Sequence, residues 1–155
     1  MGDGALVGIV MGSKSDEPFV EETKKILDDL GVPYESSVMS AHRAPERVMQ
    51  YARDAQNRGI KVLIGAAGGA AALPGVLASW TTIPVIGIPL PTSDLKGIDA
   101  LYAICQMPPG IPVACVAIGS WGARNAGYLA ASILGISNAE VQSKYEEYRE
   151  KLRAS

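Results

Sequence analysis

The stretch Ala5-Leu6-Val7-Gly8-Ile9-Val10-Met11, followed at once by Gly12-Ser13-Lys14-Ser15-Asp16, decides the fold of this chain. A short apolar run that ends in a polar turn and opens onto a helical pattern is a buried strand of a parallel sheet. The helical pattern covers residues 17–30, with Phe19, Thr23, Ile26, Leu27 and Leu30 on one face. Asp16 is placed to cap it, Pro18 suits its first turn and Gly31 suits its stop. The same alternation recurs downstream. Strands over residues 34–39, 60–66, 83–89 and 112–118 alternate with helices over residues 45–59, 74–80, 98–106 and 122–134. This pattern predicts an α/β fold, a five-stranded parallel sheet with right-handed crossovers and helices on both faces. In strand order 2-1-3-4-5 the switch point falls between strands one and three.

Two more short motifs follow apolar runs in the same way: Ser40-Ala41-His42-Arg43 after strand two, and Ala67-Gly68-Gly69-Ala70-Ala71-Ala72-Leu73-Pro74-Gly75 after strand three. Ligands of parallel α/β sheets bind beyond the carboxyl ends of the strands. The motifs therefore converge on one edge, and the middle one carries the only histidine of the chain. An enzyme site is expected there.

Composition narrows the function classes. A chain of 155 residues, 48% of them apolar, fits one domain with a full core. Its net charge of -2 supplies no basic face for a phosphate backbone, and the sparse aromatics form no stacking platform, so nucleic acid is not an expected partner. Gly and Pro interrupt every apolar run well short of the about 18 residues that a membrane span needs. Residues 1–10 lack the basic n-region of a signal peptide, and a cytoplasmic location is the expectation. Cys105 and Cys115 lie in apolar runs without metal-ligand spacing and read as small buried hydrophobes. With one histidine they are too few for a structural zinc site, and no metal is expected.

Each motif admits a functional and a plainer reading. Backbone N–H groups at the helix start, with the hydroxyls of Ser13 and Ser15, make a good anion site; the same residues would also serve as a simple capping turn. The turn matches neither the Walker A pattern nor GxGxxG. Arg43 suits a two-pronged contact with phosphate and His42 titrates near neutral pH; alternatively both are solvated surface residues. Residues 67–75 let a ligand ring approach the backbone and leave a small apolar pocket, or else only pack helix on sheet. A phosphate site beside a titratable group describes an enzyme acting on a phosphorylated small molecule. Residues 90–97 form a loop on the ligand edge suited to a lid, and residues 107–112, with three prolines, a rigid turn.

The tail over residues 138–155 carries Val141, Tyr145, Tyr148 and Leu152 at helical spacing on a charged segment. This narrow stripe comes after the sheet is already covered. Packing on its own domain and contact with a neighbouring subunit are both open, the second being the favoured expectation.

Together the motifs resemble the class I N(5)-carboxyaminoimidazole ribonucleotide mutases of purine biosynthesis, also known as phosphoribosylaminoimidazole carboxylase catalytic subunits. The resemblance spans essentially the whole chain, through Met11–Asp16, Ser40-Ala41-His42-Arg43-Ala44-Pro45, Ala67-Gly68-Gly69-Ala70-Ala71, Leu73-Pro74-Gly75, Ile83-Pro84-Val85-Ile86-Gly87 and Gln106-Met107-Pro108. It implies a flavodoxin-like three-layer fold and one mutase-like domain over residues 1–155. It further implies a homo-octamer joined by the C-terminal helix (residues 138–155), and no metal or organic cofactor. On this resemblance Ser13, Ser15, Asp16, Ser40 and Arg43 hold the ribose and phosphate of a ribonucleotide, and His42 transfers protons. Ala41, Ala67, Gly68, Gly69, Ala72 and Leu73 are further substrate-binding positions, the alanines and glycines lining the pocket that retains carbon dioxide. The implied reaction moves a carboxyl group from the exocyclic nitrogen to ring carbon four by way of carbon dioxide.

The family pattern over residues 67–75 reads AGGAAHLPG, and Ala72 stands where it has histidine. Just before that stretch, Ala66 stands where the family usually has glycine. A lost active-site donor commonly costs about 2–4 kcal/mol of transition-state stabilisation. Beside the mutase, two further readings therefore stay open: a decarboxylase of the carbon-carboxylated nucleotide or a related heteroaromatic acid, and an inactive ribonucleotide-binding protein. Retention of His42 speaks against the last.

Overall fold

The computed structural model describes residues 4–155; the first three residues of the expected domain, and of the stretch 1–10 read for a signal peptide, lie outside them. At the centre of the molecule runs β1 (Val7–Met11), apolar throughout apart from Gly8 and buried at every position. It pairs in parallel with β2 (Tyr34–Val38) on one side and β3 (Val62–Gly68) on the other, so that Ile9 faces both Ser36 and Ile64 across the ladder. Beyond β3 come β4 (Val85–Leu90) and the short β5 (Ala114–Cys115). The sheet has five parallel strands, as the alternation predicts, and their order is β2-β1-β3-β4-β5.

Helices α1 (Glu17–Asp29), α2 (Pro45–Ala55), α3 (Leu73–Ser79), α4 (Ile98–Cys105), α5 (Gly119–Gly135) and α6 (Ala139–Ala154) complete the layers. On one face α1 and α5 close a core around Val7, Ile9, Ile64, Ile86 and Ile88. On the other, α2, α3 and α4 close a second core around Val10, Leu63, Leu77 and Ile104. Each such aliphatic side chain contributes about 1.5–3 kcal/mol on burial. The seam between α1 and α5 is close because α5 turns glycine and alanine inward. There the buried Thr23 donates from Oγ1 to the Ala123 carbonyl at 2.7 Å, and Gly127 leaves no space for a side chain beside Ile26.

Several expectations need correction. Strand β3 continues to Gly68 instead of stopping at 66, because Ala67 and Gly68 still pair with Pro89 and Leu90. Strand β5 shrinks from the expected 112–118 to two residues: Pro112 has no N–H to pair, and the chain leaves the edge after Val116 donates to the Gly87 carbonyl. Helix α5 starts at Gly119, earlier than 122, and α2 ends at Ala55 before a turn that reaches Gly59. The cysteines are not both buried. Cys105 is exposed at the end of α4 and Cys115 is half-buried on the edge strand. Burial, helped by a hydrogen bond with Cys105, pushes the Cys115 thiol up to about 12.

The tail stripe packs on its own chain. Val141 is buried, and the rings of Tyr145 and Tyr148 stack on Tyr128 of α5 with centroids 5.7 and 4.7 Å apart. Leu152, one turn further on, stays 52% exposed. Among the described residues no helix is long and apolar enough to cross a membrane.

Candidate active site

The turns that follow β1, β2 and β3 meet at the switch point between β1 and β3. They enclose a cavity of about 270 Å³ lined by Gly12, Ser13, Ser15, Asp16, Ser40, Ala41, His42, Ala67, Gly68, Ala71, Ala72, Leu73 and Thr92. Ten of the twelve residues singled out from the sequence lie on this wall; Arg43 and Gly69 stand just outside it. A larger cavity of about 760 Å³ opens at the opposite edge, between Arg53, Trp80 and the start of β4, and holds none of the motif residues.

The first turn is tightly built. Ser13 is extended, and a 3-10 turn over Lys14–Asp16 begins directly after it. Ser13 Oγ accepts from the Ser15 amide at 3.3 Å and from the Ser15 hydroxyl at 3.0 Å, while the Ser13 amide donates to Asp16 Oδ2 at 3.0 Å. This reciprocal box closes the turn. Asp16 stands at the N-cap position of α1 but, against expectation, makes no side-chain cap there, since its carboxylate is turned back onto Ser13. Burial raises the Asp16 carboxyl above its ordinary value, with the Ser13 and Gly12 amides pulling the other way.

The second turn closes through Ser40. Its Oγ accepts from the Arg43 amide at 3.2 Å and its carbonyl from the Ala44 amide at 2.8 Å. Pro45 then starts α2. From this turn the Arg43 guanidinium reaches the Gly12 carbonyl, 3.4 Å away, tying the second motif to the first. His42 is exposed on the cavity rim, and among the described residues its imidazole makes no hydrogen bond. Both ring nitrogens are therefore open to a ligand.

The third turn supplies a wall without functional groups. Gly69 and Ala71 take left-handed backbone, with φ of 60° and 45°. Gly69 does so freely, whereas Ala71 carries a side chain through a region where it costs about 1–2 kcal/mol. The wall this bends into place consists of Ala67, Gly68, Ala71, Ala72 and Leu73, none with a polar side chain.

Sequence reasoning missed Thr92, and left Gly12 and Ala71 unassigned within their motifs. Thr92 belongs to the 90–97 loop read as a lid, and the signal for it is the register: Gly68 pairs with Leu90, so the residues just after β4 must rise beside the third motif. Among the described residues no group of three or more His, Cys, Asp or Glu side chains could hold a metal ion.

Fold and cavity together define a flavodoxin-like α/β protein with a cavity at its switch point. The chain belongs to the AIR carboxylase family, whose model matches residues 6–155. It is 53% identical over 147 residues to the N5-carboxyaminoimidazole ribonucleotide mutase of Thermotoga maritima, covering 95% of this chain and 85% of that one. Against the N5-carboxyaminoimidazole ribonucleotide mutase of Pyrococcus abyssi the identity is 55% over 147 residues, covering 95% and 83%. The crystal structure of Treponema denticola PurE superposes with a TM-score of 0.87 at 30% identity, covering 97% of this chain and 92% of that one.

Proposed function

We propose that this chain is a carboxyaminoimidazole ribonucleotide mutase of purine biosynthesis. The observation that supports this most is one shared cavity: His42, the anion-cradling turn 12–16 and the small-residue wall 67–73 all border it. In this reading the hydroxyls of Ser13, Ser15 and Ser40 with Asp16 and Arg43 hold the ribose phosphate, next to amides and a guanidinium suited to it. Ala41, Ala67, Gly68, Gly69, Ala72 and Leu73 border the aminoimidazole ring.

The chemistry needs one imidazole. The carbamate C–N bond breaks, its electron pair stays on the exocyclic nitrogen, and protonated His42 delivers a proton there. Carbon dioxide stays against the alanine and glycine wall, whose own side chains offer it no nucleophile. Ring carbon four then attacks it, and His42 takes the displaced ring proton, which restores its starting state. No step calls for a metal or an organic cofactor.

Ala72 favours a second reading. It leaves the wall beside His42 without a hydrogen-bonding side chain, and protonating ring carbon four while releasing carbon dioxide demands less of the site than trapping it. Decarboxylation of the 4-carboxy nucleotide is the activity that would survive. Around either chemistry we place one domain over residues 1–155 working as a cytoplasmic homo-octamer, with residues 138–155 contributing to the contacts between subunits.

The test supplies purified protein with 4-carboxy-5-aminoimidazole ribonucleotide and follows ultraviolet absorbance together with released carbon dioxide. Appearance of the N-carboxy isomer ahead of carbon dioxide is the expected result. Stoichiometric carbon dioxide with only the decarboxylated nucleotide replaces the mutase with the decarboxylase, and no change at all overturns both.

A further inference from the structure

We propose that the hydroxyl of Thr92 holds the migrating carboxylate of the substrate, and so makes the site select carboxylated over uncarboxylated nucleotide. The inference rests on the mutase reading and deepens it.

Three observations carry the assignment. Thr92 is a lining residue contributed by neither the three motifs nor their strands; it reaches the cavity from the loop after β4. It sits directly over Gly68, where an added Cβ would collide with Thr92 Oγ1 and lie 3.1 Å from Thr92 Cβ. The missing side chain at Gly68 is what gives the hydroxyl its seat. The loop around it is pinned rather than loose: Ser93 Oγ donates to Asp99 Oδ2 at 2.6 Å and accepts from the Leu95 amide at 3.2 Å, and the Lys96 amide donates to the Ser93 carbonyl at 3.0 Å. Thr92 is exposed, and its backbone is held next to these bonds.

Apart from His42 on the rim, the other polar side chains of the cavity have partners. Ser13, Ser15 and Asp16 bond one another or their own turn, and Ser40 accepts from Arg43. Among the described residues the Thr92 hydroxyl has none. It stands over Gly68 at the apolar wall, the side on which a carboxyl group must rest between its two attachments. A hydroxyl donates well to a carboxylate oxygen and has nothing comparable to offer an unsubstituted ring carbon.

The experiment compares wild type, Thr92→Val and Thr92→Ser by titration calorimetry with 4-carboxy-5-aminoimidazole ribonucleotide and with the decarboxylated nucleotide. Thermal melts verify that each variant is folded. Valine keeps the shape and removes the donor. Expected is a loss of about tenfold or more in affinity for the carboxylated nucleotide, no change for the decarboxylated one, and recovery with serine. Equal losses for both nucleotides, or no loss for the carboxylated one, overturn the assignment while leaving the mutase reading standing. Failure of the wild type to bind either nucleotide overturns the mutase reading and this assignment with it.

Discussion

The backbone amide of Ser13 donates to Asp16 Oδ2 at 3.0 Å, and that carboxylate is only 5% exposed. Burial raises its titration above the ordinary 3.8, so over a window beginning there the folded chain keeps a proton that the unfolded chain has released. The stability this contributes is fully present below 3.8 and is lost as pH rises through the folded value. Urea denaturation of wild type and Asp16→Asn across that window should show the wild type losing stability relative to the variant with rising pH. A difference independent of pH would mean that Asp16 titrates alike in both states.

His42→Asn keeps a polar side chain on the rim and removes the proton carrier. Turnover should fall by roughly 10²–10⁴-fold while nucleotide affinity stays within a few-fold. Loss of binding in proportion to turnover would make His42 a binding group.

Ala72→His puts an imidazole back on the apolar wall. If the empty side of the cavity limits the chemical step, kcat rises by on the order of 10²-fold with KM little changed. An unchanged kcat, measured in the same absorbance assay, would show that this wall does its part without a donor.

Gly127→Val tests the seam between α1 and α5. Its Cβ would come within 2.9 Å of Ile26 Cβ and 3.2 Å of the Thr23 carbonyl oxygen, so the helices must part. A cost of about 1–3 kcal/mol is expected, read as a lower urea midpoint at unchanged slope.

Leu152→Lys separates the two uses of the tail. Val141, Tyr145 and Tyr148 already serve the chain's own core face, while Leu152 is left outside it. The substitution should reduce the particle mass in light scattering without moving the melting temperature of the fold. An unchanged mass would take that end of α6 out of any subunit contact.

What the sequence makes legible here is whatever has a period or a motif. Alternating apolar runs and helical stripes give the five parallel strands, and each crossover leaves few orders for them. Gly12–Asp16, Ser40–Arg43 and 67–73 are visible as motifs because each interrupts such a run. Thr92 has no motif around it, and only the pairing of Gly68 with Leu90 brings it to the cavity. The side chain of Asp16 looks like a cap for α1 because sequence shows its position and not the 3-10 turn that reverses it. Strand five reads too long since Val113, Val116 and Ile118 have strand-like residue types, while edge position and Pro112 decide how much of it pairs. Cys105 shares an apolar run with Ile104, and only the helix rotation places one inside and the other in solvent.

Two of the turns that frame the cavity hang from β1 and β3, which have a neighbour strand on either side, and the third hangs from the edge strand β2, paired with β1 along five residues; β5 touches the sheet through only Ala114 and Cys115. Amides of the inner strands can exchange their hydrogens with solvent only when the whole sheet opens, whereas the edge frays by itself. A warmed sample would accordingly shed protection at the two-residue β5 first, ahead of the longer ladders that carry the cavity's turns. Ligand occupancy in such a molecule is a thermometer of global unfolding, blind to everything that melts before it.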